Sequence, residues 1–173
     1  MIGKKSDFSR IRARLEEIQE GLREAGIDGW LLYDLHARNP VSGELLGLGE
    51  MTRRYFALVP AEGEPTALMH GIETGPWEAW PWARRTYVGW KALDDELAAL
   101  VGGKTVAMEF SAGDAVPAVD YIPAGVAELV RAAGAEVVTS ADLITRFYAV
   151  WTDEGKASHD RAARILADTA KEA

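Results

Sequence analysis

The sequence contains no cysteine, which excludes disulfides, thiolate zinc sites and cysteine nucleophiles from this chain. It has no apolar run of the kind that forms a signal peptide or a membrane span. A glycine-rich phosphate loop, a His-Glu-x-x-His zinc motif and a Gly-x-Ser-x-Gly elbow are also missing. We therefore expect a soluble, cytoplasmic protein that carries none of these chemistries.

An excess of positive charge is missing as well. The chain has 19 Lys and Arg against 27 Asp and Glu, a formal net charge of −8. Nucleic acids and anionic membranes are polyanions, so this balance predicts neither as a partner. Hydrophobic residues at 48% and charged residues at 27% are typical of a globular domain.

The segment Arg53–His70 has the pattern of a β-hairpin. Two strand-like runs, Tyr55–Val59 and Thr66–Met69, flank a joint with a proline at each end and a glycine inside it. Side chains alternate along a strand, so one face of the hairpin is predicted to carry Phe56, Leu58, Ala67 and Met69. This hairpin is the predicted centre of a sheet.

Hydrophobic periodicity assigns most of the remaining chain. A first helix is predicted from the apolar positions Phe8, Ile11, Leu15, Ile18, Leu22 and Ala25. Further strands are predicted at Trp30–Tyr33, Thr86–Val88, Thr105–Met108 and Glu136–Val138, with helices between them and after Asp153. Helix and strand alternate in the second half, as in βαβ units. The sequence therefore predicts an α/β fold with a mixed parallel and antiparallel sheet, flanked by helices on both faces.

A polar loop after the first predicted strand holds the first candidate site residues. His36 and Arg38 lie in the segment Asp34–Pro40, just beyond the apolar run Trp30–Tyr33. Functional groups of α/β proteins are often found in loops at strand ends. The alternative interpretation is a loop whose polar groups only bond to one another.

Tryptophan is concentrated at Trp77, Trp80 and Trp82, with a spacing that fits neither one helix face nor a strand. Aromatic residues are enriched in protein–protein contacts. Two interpretations stay open at this point. Trp77 and Trp80 either contribute to a partner or subunit surface, or pack in the core.

Several stretches together resemble the N-terminal domain of creatinase/prolidase-type peptidases, close to Xaa-Pro aminopeptidases and dipeptidases. They are Asp28–Asp34 (DGWLLYD), Arg53–His70 (RRYFALVPAEGEPTALMH), Val106–Phe110 (VAMEF) and Gly125–Leu143 (GVAELVRAAGAEVVTSADL). Arg146–His159 (RFYAVWTDEGKASH) resembles the junction with the catalytic domain. The resemblance implies that residues 1–151 form the N-terminal domain. Residues 152–173 are then a linker and the start of the first helix of a catalytic domain that this sequence does not contain.

The family resemblance implies a parent enzyme that is a metal-dependent Xaa-Pro peptidase with two divalent metals, Mn, Co or Zn, in its C-terminal domain. No metal ligand or catalytic residue is transferred to this chain, which alone is predicted to be inactive. The implied partners are the chain's own catalytic domain and further copies in a homodimer or larger homo-oligomer. In relatives this domain also walls the active-site entrance, and His36, Arg38, Trp77 and Trp80 are the candidates for that role here, with a cation placed to hold a peptide carboxylate.

Two alternatives remain at the sequence level. One is a free-standing binding or assembly module with the same fold. The other is the N-terminal domain of a creatinase-like amidinohydrolase, which uses the same scaffold without the metals. The helix after Asp153 has no terminating glycine, asparagine or proline. We expect it to continue into further chain, which favours a two-domain parent.

Overall fold

The computed structural model describes residues 5–172. The helices are α1 (Ser9–Glu24), α2 (Pro40–Leu46), α3 (Trp90–Val101), α4 (Ala124–Ala132), α5 (Ala141–Phe147) and α6 (Asp153–Glu172). The strands are β1 (Gly29–Asp34), β2 (Tyr55–Pro60), β3 (Thr66–His70), β4 (Ala83–Tyr87), β5 (Thr105–Met108) and β6 (Glu136–Thr139). Short 3-10 helices lie at Gly75–Trp77, Ala112–Asp114 and Pro117–Val119.

All six strands form one mixed sheet in the order β4-β3-β2-β1-β5-β6. The β1–β2 and β2–β3 pairs are antiparallel, and the β1–β5, β5–β6 and β3–β4 pairs are parallel. Strand β1 lies between β2 and β5, and all six of its residues are buried. The predicted α/β class and the mixed sheet are confirmed.

Helices cover both faces of the sheet. Side chains of α1, α2 and α5 pack on one face with Trp30 and Leu32 of β1. Side chains of α3 and α4 pack on the opposite face with Leu31 and Tyr33. Because both faces are buried at the centre of the sheet, β1 and β2 are mostly apolar and lose the alternation of a half-exposed sheet.

The hairpin is present, but the predicted shared face is wrong. Phe56 pairs directly with Leu68, and Leu58 packs in the same cluster on the α3–α4 side. Ala67 and Met69 belong to the opposite face, with the α1–α2–α5 cluster. The hydrophobic pattern could not show which residues share a face, because apolar residues follow one another in both runs and no polar residues alternate with them.

Element boundaries agree best where glycine or capping residues mark them. Strand β5 is the predicted Thr105–Met108. The strand predicted at Thr86–Val88 instead spans Ala83–Tyr87. Its first half was missed because this edge strand carries two arginines and therefore has no apolar run. Helix α6 contains no buried residue, and Ile165 and Leu166 on it are exposed.

Candidate functional site

The loop between β1 and α2 is built by two polar side chains at its ends. The Asp34 Oδ1 atom accepts the backbone N–H of Arg38 (2.8 Å) and that of Asn39 (2.9 Å). The Asn39 Oδ1 atom accepts the N–H of Ser42 (3.2 Å), which caps α2, and Pro40 occupies the first turn. The loop therefore bonds to itself at both ends and leaves its middle residues free to face solvent.

Two consecutive non-glycine residues in this loop have left-handed backbone angles. His36 has φ 59° and Ala37 has φ 52°, and both side chains are exposed. This conformation costs an L-residue about 1–2 kcal/mol. The bonds to Asp34 offset that cost and hold a tight turn that presents His36 and Arg38 to solvent. Backbone strain of this kind is concentrated at functional sites.

A fully buried carboxylate lies behind the loop. Glu109, directly after β5, accepts the indole N–H of Trp30 (2.5 Å) and the Ser140 hydroxyl (3.3 Å) at Oε1. Its Oε2 atom accepts the Asn39 Nδ2 group (2.7 Å). The side chain thus joins β1, the cap of α2 and the start of α5. We call Glu109, Trp30, Asn39 and Ser140 the Glu109 cluster.

Burial dominates the electrostatics of this cluster. It raises the pKa of Glu109 to about 7, although the bonds from Trp30, Asn39 and Ser140 favour the charged form and act in the opposite direction. Burial also raises the pKa of Tyr55, whose hydroxyl bonds to Ser42 at 2.9 Å. The charges of Asp34 and Glu109 raise the pKa of Tyr55 further.

A cleft of about 440 Å³ opens beside the loop. Asp34, Asn39 and Tyr55 form part of its wall, and Arg10 lies at its edge with its guanidinium 2.6 Å from Glu44. The cleft therefore has a carboxylate wall and a paired cation at the rim. Ala37 of the strained loop also lines the cleft, whereas its neighbours His36 and Arg38 do not.

The structure does not bring the four predicted site residues together. His36 and Arg38 share the exposed turn, whereas Trp77 is fully buried and Trp80 is 4% exposed. Trp77 packs against Phe8 and Tyr55, and Trp80 against Phe8. Of the two open interpretations, core packing describes both rings, because neither offers surface to a partner.

Exposed apolar side chains lie elsewhere, where the sequence reasoning assigned no site. Ile72, Val88 and Trp90 are each about 70% exposed. The Gly71 N–H donates to the Tyr87 carbonyl (3.0 Å), which brings the segments bearing Ile72 and Val88 side by side. We call Ile72, Val88 and Trp90 the edge patch, because it adjoins the edge strand β4.

Residues 5–172 meet neither the requirements of a metal site nor those of a membrane-spanning helix. No group of three His, Asp or Glu side chains there has the spacing to hold a metal ion. The donor set for the two-metal site of the implied parent therefore does not fit this part of the chain, and no catalytic step is assigned to it. None of the described helices combines the length and apolar character needed to cross a membrane.

Comparisons by sequence find nothing: no family model matches the chain, and no curated protein does. Solved structures do match its fold. A prolidase from Thermococcus sibiricus matches with a TM-score of 0.65 and 16% identity, over 94% of this chain and 42% of the prolidase. Dipeptidase PepE from Mycobacterium ulcerans matches with a TM-score of 0.62 and 18% identity, over 87% of this chain and 39% of the dipeptidase.

Shorter solved structures match over nearly their whole length. The creatinase/prolidase N-terminal domain of an X-Pro dipeptidase from Streptococcus pyogenes gives a TM-score of 0.60 at 16% identity, over 77% of this chain and 97% of that domain. The chain thus spans about two fifths of the full-length enzymes and all but a few per cent of the isolated domain. It has the fold of a creatinase/prolidase N-terminal domain, as the resemblance predicted.

Proposed function

We propose that this chain is the non-catalytic N-terminal domain of a metal-dependent Xaa-Pro peptidase, where it serves assembly and walls the active-site entrance. The observation that carries the proposal is the structural match to isolated N-terminal domains of Xaa-Pro dipeptidases over nearly their full length. The metals of the parent, Mn, Co or Zn, then belong to its C-terminal domain. Cytoplasmic location remains part of the same proposal.

The exposed turn supports the entrance role. His36 and Arg38 belong to a turn whose backbone is held by Asp34, so the backbone that carries them is set before a substrate arrives. A guanidinium binds a carboxylate through two parallel N–H groups. Arg38 is therefore suited to the free carboxylate of a short peptide, which would distinguish dipeptides from internal Xaa-Pro bonds.

The test of the entrance role uses the protein encoded by the complete reading frame, assayed on an Xaa-Pro dipeptide with Mn²⁺. Arg38→Ala is expected to raise KM by about tenfold, the equivalent of about 1.4 kcal/mol, with kcat retained. Arg38→Lys keeps the charge but loses the bidentate geometry of the guanidinium. Its KM is expected to lie between those of the wild type and Arg38→Ala. Unchanged KM in both variants would contradict the entrance role.

The 173-residue chain itself is expected to show no cleavage with any of the three metals. Cleavage by the pure chain would contradict the non-catalytic assignment. A reading frame that ends near residue 173 would favour the free-standing module. Turnover of a small guanidino substrate without metal by the complete protein would favour the creatinase-like alternative.

The edge patch supports the assembly role. Three large apolar side chains about 70% exposed beside an edge strand form a surface of the kind that marks protein contacts. Trp90→Ser is expected to convert a homodimer to a monomer in light scattering, with the circular dichroism spectrum retained. Trp151→Ser is the matched control, because Trp151 is also exposed (52%) but lies before α6. A dimer that survives Trp90→Ser would contradict assembly through this patch.

A further inference from the structure

The Glu109 cluster reaches the exposed turn through one side chain. Asn39 Nδ2 donates to Glu109 Oε2 and to the Tyr33 carbonyl (2.8 Å), while Asn39 Oδ1 accepts from Ser42. Every polar atom of the Asn39 amide is therefore used, and an ionised carboxylate, which only accepts, fixes which way the amide faces. Asn39 also ends the strained turn, one residue after Arg38.

We propose that Glu109 is a positioning residue for the turn formed by residues 35–38, that it acts through Asn39, and that uptake of a proton by Glu109 loosens the turn. The proposal rests on the proposed function only for the biological role of the turn, which is binding at the active-site entrance. The mechanical link from Glu109 to Asn39 to the turn is a property of this chain alone.

The hydrogen-bond chemistry determines where the proton goes. A proton on Oε2 would face the N–H of Asn39, donor against donor. On Oε1 it can point to Ser140, because a hydroxyl can turn from donor to acceptor. The carboxyl group is then neutral, and its bond to Asn39 loses the strength that the charge gave it. Burial brings the pKa of Glu109 to about 7, so both forms are populated near neutral pH.

No cation compensates Glu109 among the described residues, since none of their ion pairs includes it. On the surrounding strands, Asp34 of β1 and Tyr55 of β2 are the charged or titratable groups at the Glu109 end of the sheet. Tyr33 of β1 packs on the opposite face, and Glu136 lies at the far end of β6. On the surrounding helices and the segment after β5, the charged or titratable groups are Glu44, Asp120, Tyr121, Asp142, Arg146 and Tyr148. Glu44 pairs with Arg10, Arg146 with Glu24, and Asp120 accepts the Ser111 N–H. Burial raises the pKa of Tyr55 and Tyr148, so neither phenol ionises near neutral pH.

His36 is an ionisable side chain within the turn itself, so the experiment removes it and uses the 173-residue chain with His36→Gln. Backbone and side-chain N–H resonances are followed by NMR from about pH 5 to about pH 9, on either side of the pKa of about 7 for Glu109. We expect the Trp30 indole, the Asn39 side-chain amide and the backbone amides of Ala37 and Arg38 to shift with one midpoint near 7.

Three further variants locate the cause. Glu109→Gln is expected to abolish the common transition. Glu73→Gln, the matched control on a carboxylate that holds a different loop, is expected to leave it in place. Asn39→Ser keeps a capping hydroxyl for α2 but removes the amide. In that variant Trp30 is expected to keep its transition while Ala37 and Arg38 lose theirs.

The outcomes separate cleanly. The proposal fails if Trp30 shows no transition in this range, if the turn does not follow it, or if the turn still titrates after Glu109→Gln. Asn39→Ser decides the question if Glu109→Gln does not fold. None of these NMR measurements depends on peptidase activity. If they contradict the role of Glu109, the proposed function is unaffected. If the KM test contradicts the entrance role, the connection from Glu109 through Asn39 to the turn is unaffected.

Discussion

Two glutamates, Glu109 and Glu73, each hold a loop in place by accepting hydrogen bonds from three donor groups. Glu109 binds Trp30, Asn39 and Ser140. Glu73 binds the backbone N–H and hydroxyl of Thr52 and the backbone N–H of Arg53. The two side chains have the same chemistry and the same number of donor groups. They differ in burial and in the presence of a cation.

That difference reverses the direction in which the pKa moves. For Glu109, burial outweighs all three bonds and raises the pKa to about 7. For Glu73, partial burial acts to raise the pKa, but the bonds from Thr52 and Arg53 and the Arg53 charge outweigh it and lower the pKa. Hydrogen-bond count alone therefore does not tell whether a carboxylate favours its charged form. The removal of water decides it.

The largest expected effect comes from truncating the buried member of the pair. Glu109→Ala leaves the Trp30 N–H and one of the two Asn39 side-chain N–H groups buried without an acceptor, so it is expected to lower the free energy of unfolding by about 3–5 kcal/mol. Urea unfolding measures it. Glu73→Ala, whose donors are exposed to water, is the comparison and is expected to cost about 1 kcal/mol or less. Equal losses in the two variants would remove the distinction between the loops.

Most helices and strands could be predicted from the sequence, because they depend on patterns of residues that are close together in the chain. The stripe from Phe8 to Ala25 predicts α1, which spans Ser9–Glu24, and β5 is predicted to the residue. The face of the hairpin was missed because both faces are apolar, so the alternation that normally sets register is absent. Trp77 and Trp80 look like surface aromatics only until Phe8 and Tyr55 are placed against them.

The Glu109 cluster was out of reach for a different reason. A single glutamate after a short apolar strand is typical of the start of a solvated loop. The segment Val106–Phe110 contributed to the family resemblance, but nothing in it predicted a buried carboxylate. Its partners lie 79, 70 and 31 residues away in the chain. Ser140 lies at the N-terminal end of α5, but its side chain forms no cap bond there, and its hydroxyl contacts Glu109 instead. Long-range pairing of this kind leaves no periodic pattern.

The next effect is the pH dependence of stability. The folded state binds a proton at Glu109 more tightly than the unfolded chain does. The stabilisation that proton binding at Glu109 gives to the fold is therefore complete below about pH 4.5. It declines as the pH rises to about 7. The loss is about 3 kcal/mol, since each tenfold change in proton affinity is worth about 1.4 kcal/mol. The unfolding free energy of the wild type is expected to fall as the pH rises through this window, whereas that of Glu109→Gln, which has no proton to lose there, is expected to lack this fall.

Glu73 supplies the matching test of sign. Its lowered pKa means that its contribution is present above the unfolded value of 4.5 and is lost as the pH falls through the folded value. Subtracting the Glu73→Gln profile from that of the wild type should therefore give a slope opposite to the one from Glu109. Slopes of the same sign would show that burial does not separate the two carboxylates.

The smallest expected effect is that of Glu73→Gln at neutral pH. Glutamine keeps one acceptor oxygen for the N–H groups of Thr52 and Arg53 but loses the charge, so the loss is expected to be about 0.5 kcal/mol, smaller than for Glu73→Ala. Thermal unfolding of the variant measures it beside Glu62→Gln, an exposed position in the hairpin loop that is expected to be neutral. Because Glu73 is already protonated in strong acid, the difference should disappear there. A loss that persists in acid would mean that packing, and not the negative charge, holds the Thr52–Arg53 segment.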